Sequence, residues 1–192
     1  MTRKATDPRV RKTELALHRS LASLIHEKGY DAIVVQEILE RANVARSTFY
    51  AHFDGKEELL LGSIRHVLAM AKERRGASTG AADRLLGFSL PLFEHVQAHV
   101  ERSSADVREG QREVHERLAQ VLAERLEADI RRAQLDRTIC DTPPALLAKH
   151  LAATFLVVLE WWLPQRSSRT AADAAELYRA LTGPALRRQA QP

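Results

Sequence analysis

The sequence predicts an all-α protein, and three observations carry that expectation. Apolar residues recur at spacings of three and four in segment after segment, the period of a helix face. No stretch of any length alternates in the manner of a strand. Eight glycines and seven prolines in 192 residues leave long uninterrupted runs between breaks. Apolar residues at 45% and charged residues at 28% are ordinary for a soluble protein with a substantial core.

A first helix is expected from Pro8 or Arg9 to Lys28. Pro8 suits a first turn, Leu17, Leu21, Leu24 and Ile25 make the inner stripe, and Gly29 is the stop. Residues 1 to 8 ahead of it read either as a basic arm, with Arg3 and Lys4 able to touch DNA, or as a solvated tail. Val35, Ile38, Leu39 and Ala42 then space out a short amphipathic helix that closes at Asn43, with Val44 as a buried plug in the turn. A second short helix from Arg46 to His52 would turn Phe49 and Phe53 inward. Two such helices about a tight turn form a helix-turn-helix, and with the first helix they make a three-helix unit.

Arg46, Ser47, Tyr50, Ala51 and His52 are left on the outer face of that second helix. Arg46, at its start, has a fork that can pair with guanine in the major groove, and Ser47 is small enough for close approach. Thr48, Tyr50 and His52 offer donors to phosphate oxygens. Lys56 opens the following helix, where a cation beside free N–H groups makes a phosphate clamp. The charge distribution agrees: residues 1–75 hold 14 Lys/Arg against 10 Asp/Glu, while the remainder holds 15 of each. The excess of +4 therefore sits with the helix-turn-helix, a mild electrostatic footprint of phosphate binding.

A fourth helix is expected from Lys56 to about Arg75, its face formed by Leu60, Ile64, Val67, Leu68 and Ala71. Gly76 to Gly80 forms the clearest break in the chain. Residues 81–101 read as a helix with a kink or restart at Pro91. A short segment follows from Ser104 to Glu109, then a long charged helix from Gln111 to Leu135. Asp141 or Thr142 should cap the next helix, with Pro143 in its first turn. From Leu146 to Leu163 that helix is apolar nearly all round, so it must be covered on several sides, and a second copy of the chain is the expected cover. A last helix runs from about Ala171 to Arg188.

Ile38-Leu39-Glu40-Arg41-Ala42-Asn43-Val44, then Thr48-Phe49-Tyr50-Ala51-His52-Phe53 and Lys56-Glu57-Glu58-Leu59, resemble the DNA-binding signature of the TetR family of bacterial transcriptional repressors. The resemblance covers roughly residues 13–60. It departs from the usual pattern at Leu39 (commonly Ala), Asn43 (commonly Gly), and Val34 and Ala45, where Ser or Thr caps are usual. It implies an N-terminal three-helix helix-turn-helix domain at 1–55, a connecting helix at 56–75, and an effector-binding and dimerisation domain at 76–192. It also implies that the last two helices pair with those of a partner, for which Leu156, Leu159, Ala174, Tyr178 and Leu181 are the candidates. The expected function is a ligand-responsive DNA-binding regulator, a homodimeric repressor released from a palindromic operator by an unidentified small-molecule effector. The alternatives are a ligand-independent regulator or activator on the same fold, or a helical interaction module without DNA binding.

Phe88, Phe93, His95, Phe155, Trp161 and Trp162 can line an apolar effector pocket in the second domain, or serve as core. His150 and Glu160 interrupt the apolar helix and would need partners if buried. His95 and His99 stand four apart, but two ligands do not make a zinc site, so neither metal nor cofactor is expected. No Gly-rich phosphate loop, nucleophile elbow or acid–base cluster is present, which argues against an enzyme. A single cysteine, Cys140, allows no intrachain disulfide and fits a reducing cytoplasm. The N-terminus lacks a signal-peptide core, and no run is expected to reach the apolar length of a membrane span.

Overall fold

Pro8 has no N–H to lose in a first turn, and the first helix begins there. The computed structural model describes residues 8–73, 81–100, 112–132 and 142–186. The expectations for the basic arm, the Gly76–Gly80 break, the Ser104–Glu109 segment, Cys140 and Asp141 lie outside them, as does the side chain of His99. Nine α-helices and no strand occur among the described residues: α1 (Pro8–Lys28), α2 (Val35–Ala42), α3 (Arg46–Tyr50), α4 (Lys56–Glu73), α5 (Ala81–Leu86), α6 (Ser89–Val100), α7 (Arg112–Arg132), α8 (Pro144–Trp162) and α9 (Ala171–Thr182). They fall into two compact units, one of Met1–Ile64 with His99–Val114 and one of Arg65–Ala98 with His115–Pro192.

In the first unit, Leu17, Leu21, Tyr30, Ile33, Ile38, Phe49, Phe53 and Leu59 are buried together. Gly29 ends α1 with φ of 76°, a conformation that L side chains rarely adopt. Gly62 lets α1 and α4 approach closely: a Cβ there would lie 3.2 Å from Cε1 of His18. His18 in turn shares a 2.7 Å hydrogen bond with the Ser63 hydroxyl.

Val34 has no side-chain oxygen with which to cap α2, and ion pairs on the surface make up part of the loss. Glu37 accepts the Val34 N–H at 3.0 Å and pairs with Lys28 of α1. Arg41 pairs with Glu27 and donates to the Ser23 hydroxyl at 3.0 Å, so α2 is tied to α1 at both ends. The Lys28 ammonium holds the Glu37 carboxyl below the usual glutamate range, and the Arg41 guanidinium does the same for Glu27. A depressed folded-state pKa contributes stability that is fully present above the unfolded value, about 4.3, and lost as pH falls through the folded one. Glu37→Gln is therefore expected to lower the denaturation midpoint at neutral pH, with the difference from the parent shrinking below about pH 4.3. A pH-independent difference would show that the pairing with Lys28 contributes nothing.

In the second unit, the helix expected over 81–101 is two helices. The break falls at Gly87 and Phe88, before Pro91 and not at it. Restarting at Ser89 puts Pro91 third in α6, where the missing N–H has no intrahelical acceptor to disappoint. Pro143 likewise sits just before α8 instead of in its first turn, and Pro144 is the first helical residue. Thr170 and Asp173 form a reciprocal cap on α9, with the Asp173 carboxylate accepting the Thr170 N–H at 2.7 Å. The α-helical part of α9 stops at Thr182, short of the expected Arg188, because the following Gly183–Leu186 turn carries Pro184.

The aromatic residues of this unit pack on one another. Phe93 lies 4.6 Å from Phe155 and 5.5 Å from Trp162, centroid to centroid, and Phe88 lies 5.6 Å from Phe155 and 5.8 Å from Tyr178. All five are buried. The Trp162 indole donates to the Arg169 carbonyl at 2.8 Å, and the Tyr178 hydroxyl donates to the Leu151 carbonyl at 3.2 Å. Burial drives the Tyr178 pKa far up. Pro144–Gln165 is, against the sequence expectation, long and apolar enough to cross a membrane. Leu147, Leu151, Phe155, Val158 and Trp162, spaced along one side of α8, are nonetheless buried in the protein core.

Candidate nucleic-acid interface

The turn between α2 and α3 rests on Asn43, which takes up φ 53° and ψ 50°. Its N–H returns to the Glu40 carbonyl at 3.2 Å, and that of Val44 to Leu39 at 3.1 Å. Asparagine tolerates this left-handed state better than other residues with a Cβ, so the missing glycine is no obstacle. Val44 is half-buried, less enclosed than a plug.

Helix α3 covers Arg46–Tyr50 and is shorter than expected; Ala51 closes it and His52 lies beyond. Its position is fixed by Phe49, which is fully buried and 5.7 Å from the ring of Phe53. Outward lie Arg46, Ser47 and Ala51, with Tyr50 46% exposed. Thr48 and His52 are half-buried, His52 with its ring 6.5 Å from Phe53. The Arg46 guanidinium stands 5.6 Å over the Tyr50 ring. Six of the seven residues that the sequence marks for DNA thus gather on or directly after one short helix.

Lys56 behaves differently. It opens α4, but its ammonium turns into the domain, donating to the carbonyls of Tyr30 (3.1 Å) and Ile33 (3.0 Å), with Asp31 at 3.4 Å. It also lies 4.4 Å over the Tyr30 ring. Carbonyls exposed by the turn after α1 attract the nearest cation, and sequence spacing gives no sign that Lys56 is that cation. Lys56→Met is expected to cost about 1–3 kcal/mol of stability, because a charged donor is taken from three acceptors. The slope of log affinity for duplex DNA against log salt should stay unchanged. A slope reduced by about one unit would instead make Lys56 a phosphate ligand.

The other candidates part company. Phe88, Phe93, Phe155 and Trp162 meet in the core described above, and His95 is half-buried on α6. Trp161, next to Trp162, points the other way: it is 39% exposed, with the Arg169 guanidinium 5.2 Å over its ring. Leu159, Ala174 and Tyr178 are buried within this chain, Leu156 is half-buried, and Leu181 is 52% exposed. Val157 and Leu146, which the sequence reading passed over, are among the most exposed large apolar side chains. Their separation of eleven residues, three helical turns, was the available signal. His150 and Glu160 are exposed, and Glu160 pairs with His115 at 3.1 Å. No cluster of three metal-binding side chains occurs among the described residues.

Residues 20–62 match the sequence profile of bacterial regulatory proteins of the tetR family. The HTH-type transcriptional regulator YxbF of Bacillus subtilis (strain 168) is 37% identical over 67 residues, which are 34% of this chain and 18% of YxbF. A TetR transcriptional regulator from Streptococcus agalactiae 2603V, solved by crystallography, is 27% identical, with 92% of this chain and 96% of that one covered at a TM-score of 0.56. RolR in complex with resorcinol is 20% identical, with 95% and 91% covered and a TM-score of 0.60, a likeness of fold. Its helix-turn-helix segment is thus similar to that of the tetR family of bacterial regulatory proteins, and nearly its whole length is similar to a TetR regulator of known structure.

Proposed function

We propose that the chain is a DNA-binding transcriptional regulator whose domains are those expected at 1–55, 56–75 and 76–192. In this reading it is a cytoplasmic homodimeric repressor, released from a palindromic operator by a small-molecule effector. The observation that carries the DNA role is the outer face of α3, where Arg46, Ser47 and Tyr50 are exposed on a helix pinned from beneath by Phe49. Arg46 reads a guanine edge. Tyr50, Thr48 and His52 take phosphates, and Ser47 and Ala51 allow close approach. At the start of α4 the first-turn backbone N–H groups, more than the inward-turned Lys56 ammonium, are the groups to meet a phosphate. The family is one of regulators, and the chain is not an enzyme.

The dimer is supported by exposed apolar side chains on the last two helices, Leu146, Val157 and Trp161 on α8 and Leu181 on α9. Two copies place two recognition helices on one face of a duplex, one or more helical turns apart. An effector that favours a dimer of different spacing shifts the population away from the bound form. Helix α4, which holds residues of both units, is the candidate transmitter. That RolR binds resorcinol supports a small-molecule ligand without naming one. The mutual packing of Phe88, Phe93, Phe155, Trp162 and Tyr178 favours a second reading, a ligand-independent regulator in which these aromatics are core alone.

The test is selection of bound fragments from the source genome, followed by titration of the selected site. Arg46→Ala should reduce guanine preference at one position per half-site by 1–3 kcal/mol, roughly five- to 150-fold, while binding to random duplex changes little. Equal loss on operator and random DNA would remove the base-reading role. Operator affinity that no metabolite lowers would favour the ligand-independent reading.

A further inference from the structure

Arg46 and Tyr50 stand four residues apart on α3, and the guanidinium carbon lies 5.6 Å from the ring centroid. That is within the range at which a cation is drawn to an aromatic face. The ring is itself held from below. Phe49, fully buried, meets it edge-on at 5.2 Å with planes at 88°, and Phe49 packs on Phe53 in turn. An exposed arginine ordinarily spreads over many rotamers, and a fork must be fixed to contact both guanine acceptors at once. Here a series of contacts runs from the core through Phe49 and Tyr50 to the guanidinium.

We infer that Tyr50 is a positioning residue for specificity: its ring aims the Arg46 fork at a guanine, while its hydroxyl serves a phosphate. This rests on the DNA-binding reading above and divides two tasks between two parts of one side chain. The hydroxyl adds affinity on any sequence. The ring adds discrimination at a single base pair, and only through Arg46.

The experiment uses the full chain and the selected operator, with the guanine position defined as the one whose preference Arg46→Ala abolishes. Tyr50→Leu is expected to lower the guanine preference there by about two- to fivefold, the effect of losing one exposed cation–π contact. Preferences elsewhere in the site should hold. Tyr50→Phe keeps the ring, so it should retain that preference while binding every sequence more weakly. In the Arg46→Ala background, Tyr50→Leu should cause no further change in preference, the coupling expected of two groups acting as one. Tyr50→Leu with the parent's preference, or with equal loss at all positions, would overturn the inference. A parent protein that binds random duplex as well as any selected site would overturn the DNA reading itself, a result distinct from either.

Discussion

Replacing Phe49 by Ala is expected to cost about 3–5 kcal/mol, the usual range for emptying a fully buried aromatic site. The side chain has no exposure and touches the rings of Tyr50 and Phe53 at 5.2 and 5.7 Å. Helix α3 is only five residues long, far below the length at which an isolated helix persists in water. Its helicity is therefore a tertiary product, and Phe49 is its main attachment. A domain is stable by only about 5–15 kcal/mol in all, so the loss removes a large part of the margin. The expected result is a lower guanidinium midpoint for the N-terminal unit together with loss of operator binding. Tyr50→Phe, altered on the exposed side of the same helix, should leave the midpoint within about 0.5 kcal/mol of the parent. An unchanged midpoint for Phe49→Ala would mean that α3 is held by something other than this ring.

The second large effect concerns assembly. Val157 is 62% exposed on α8, three helical turns from Leu146, which is 59% exposed. Introducing a charge there with Val157→Glu would bury an unpaired carboxylate if two copies meet on this face, at a cost of several kcal/mol. The expected outcome in sedimentation is a folded monomer. Operator affinity should then fall by about 10²–10⁴-fold, the usual worth of a second linked half-site, while half-site affinity is kept. A Val157→Glu protein that remains dimeric would place the interface elsewhere. Leu159→Glu would be uninformative, because Leu159 is buried in its own chain and the substitution would unfold it.

Several elements were legible because their signals are local. Gly29, Asn43, the 3.6-residue apolar spacing and the position of Pro8 all act through the backbone of their own segment, and α1 and α2 begin and end where those signals fall. The inward turn of Phe49 and Phe53 follows from the same periodicity. Proline was harder to read. Pro91 announces a break but not on which side of itself the break falls, and the structure chose the side that leaves no carbonyl of a preceding turn stranded. The apolar helix α8 was harder still. Its composition says that it must be covered on several sides, and says nothing of which residues its own chain covers. Tyr178 and Ala174 went inward, and Val157 and Trp161 stayed outside.

The sequence by itself determined the helix boundaries set by Pro8, Gly29 and Asn43, the presence of a helix-turn-helix, and the identity of the side chains on its outer face. All of these depend on neighbours no more than four residues away. Only the tertiary structure decided that the Lys56 ammonium faces the carbonyls of Tyr30 and Ile33, that Lys28 of α1 reaches Glu37 of α2, and that Trp161 and Trp162 part ways. Each of those outcomes turns on which groups from distant segments arrive alongside. An ammonium, a carboxylate or an indole goes to the strongest partner within its reach, and reach is a property of the folded chain.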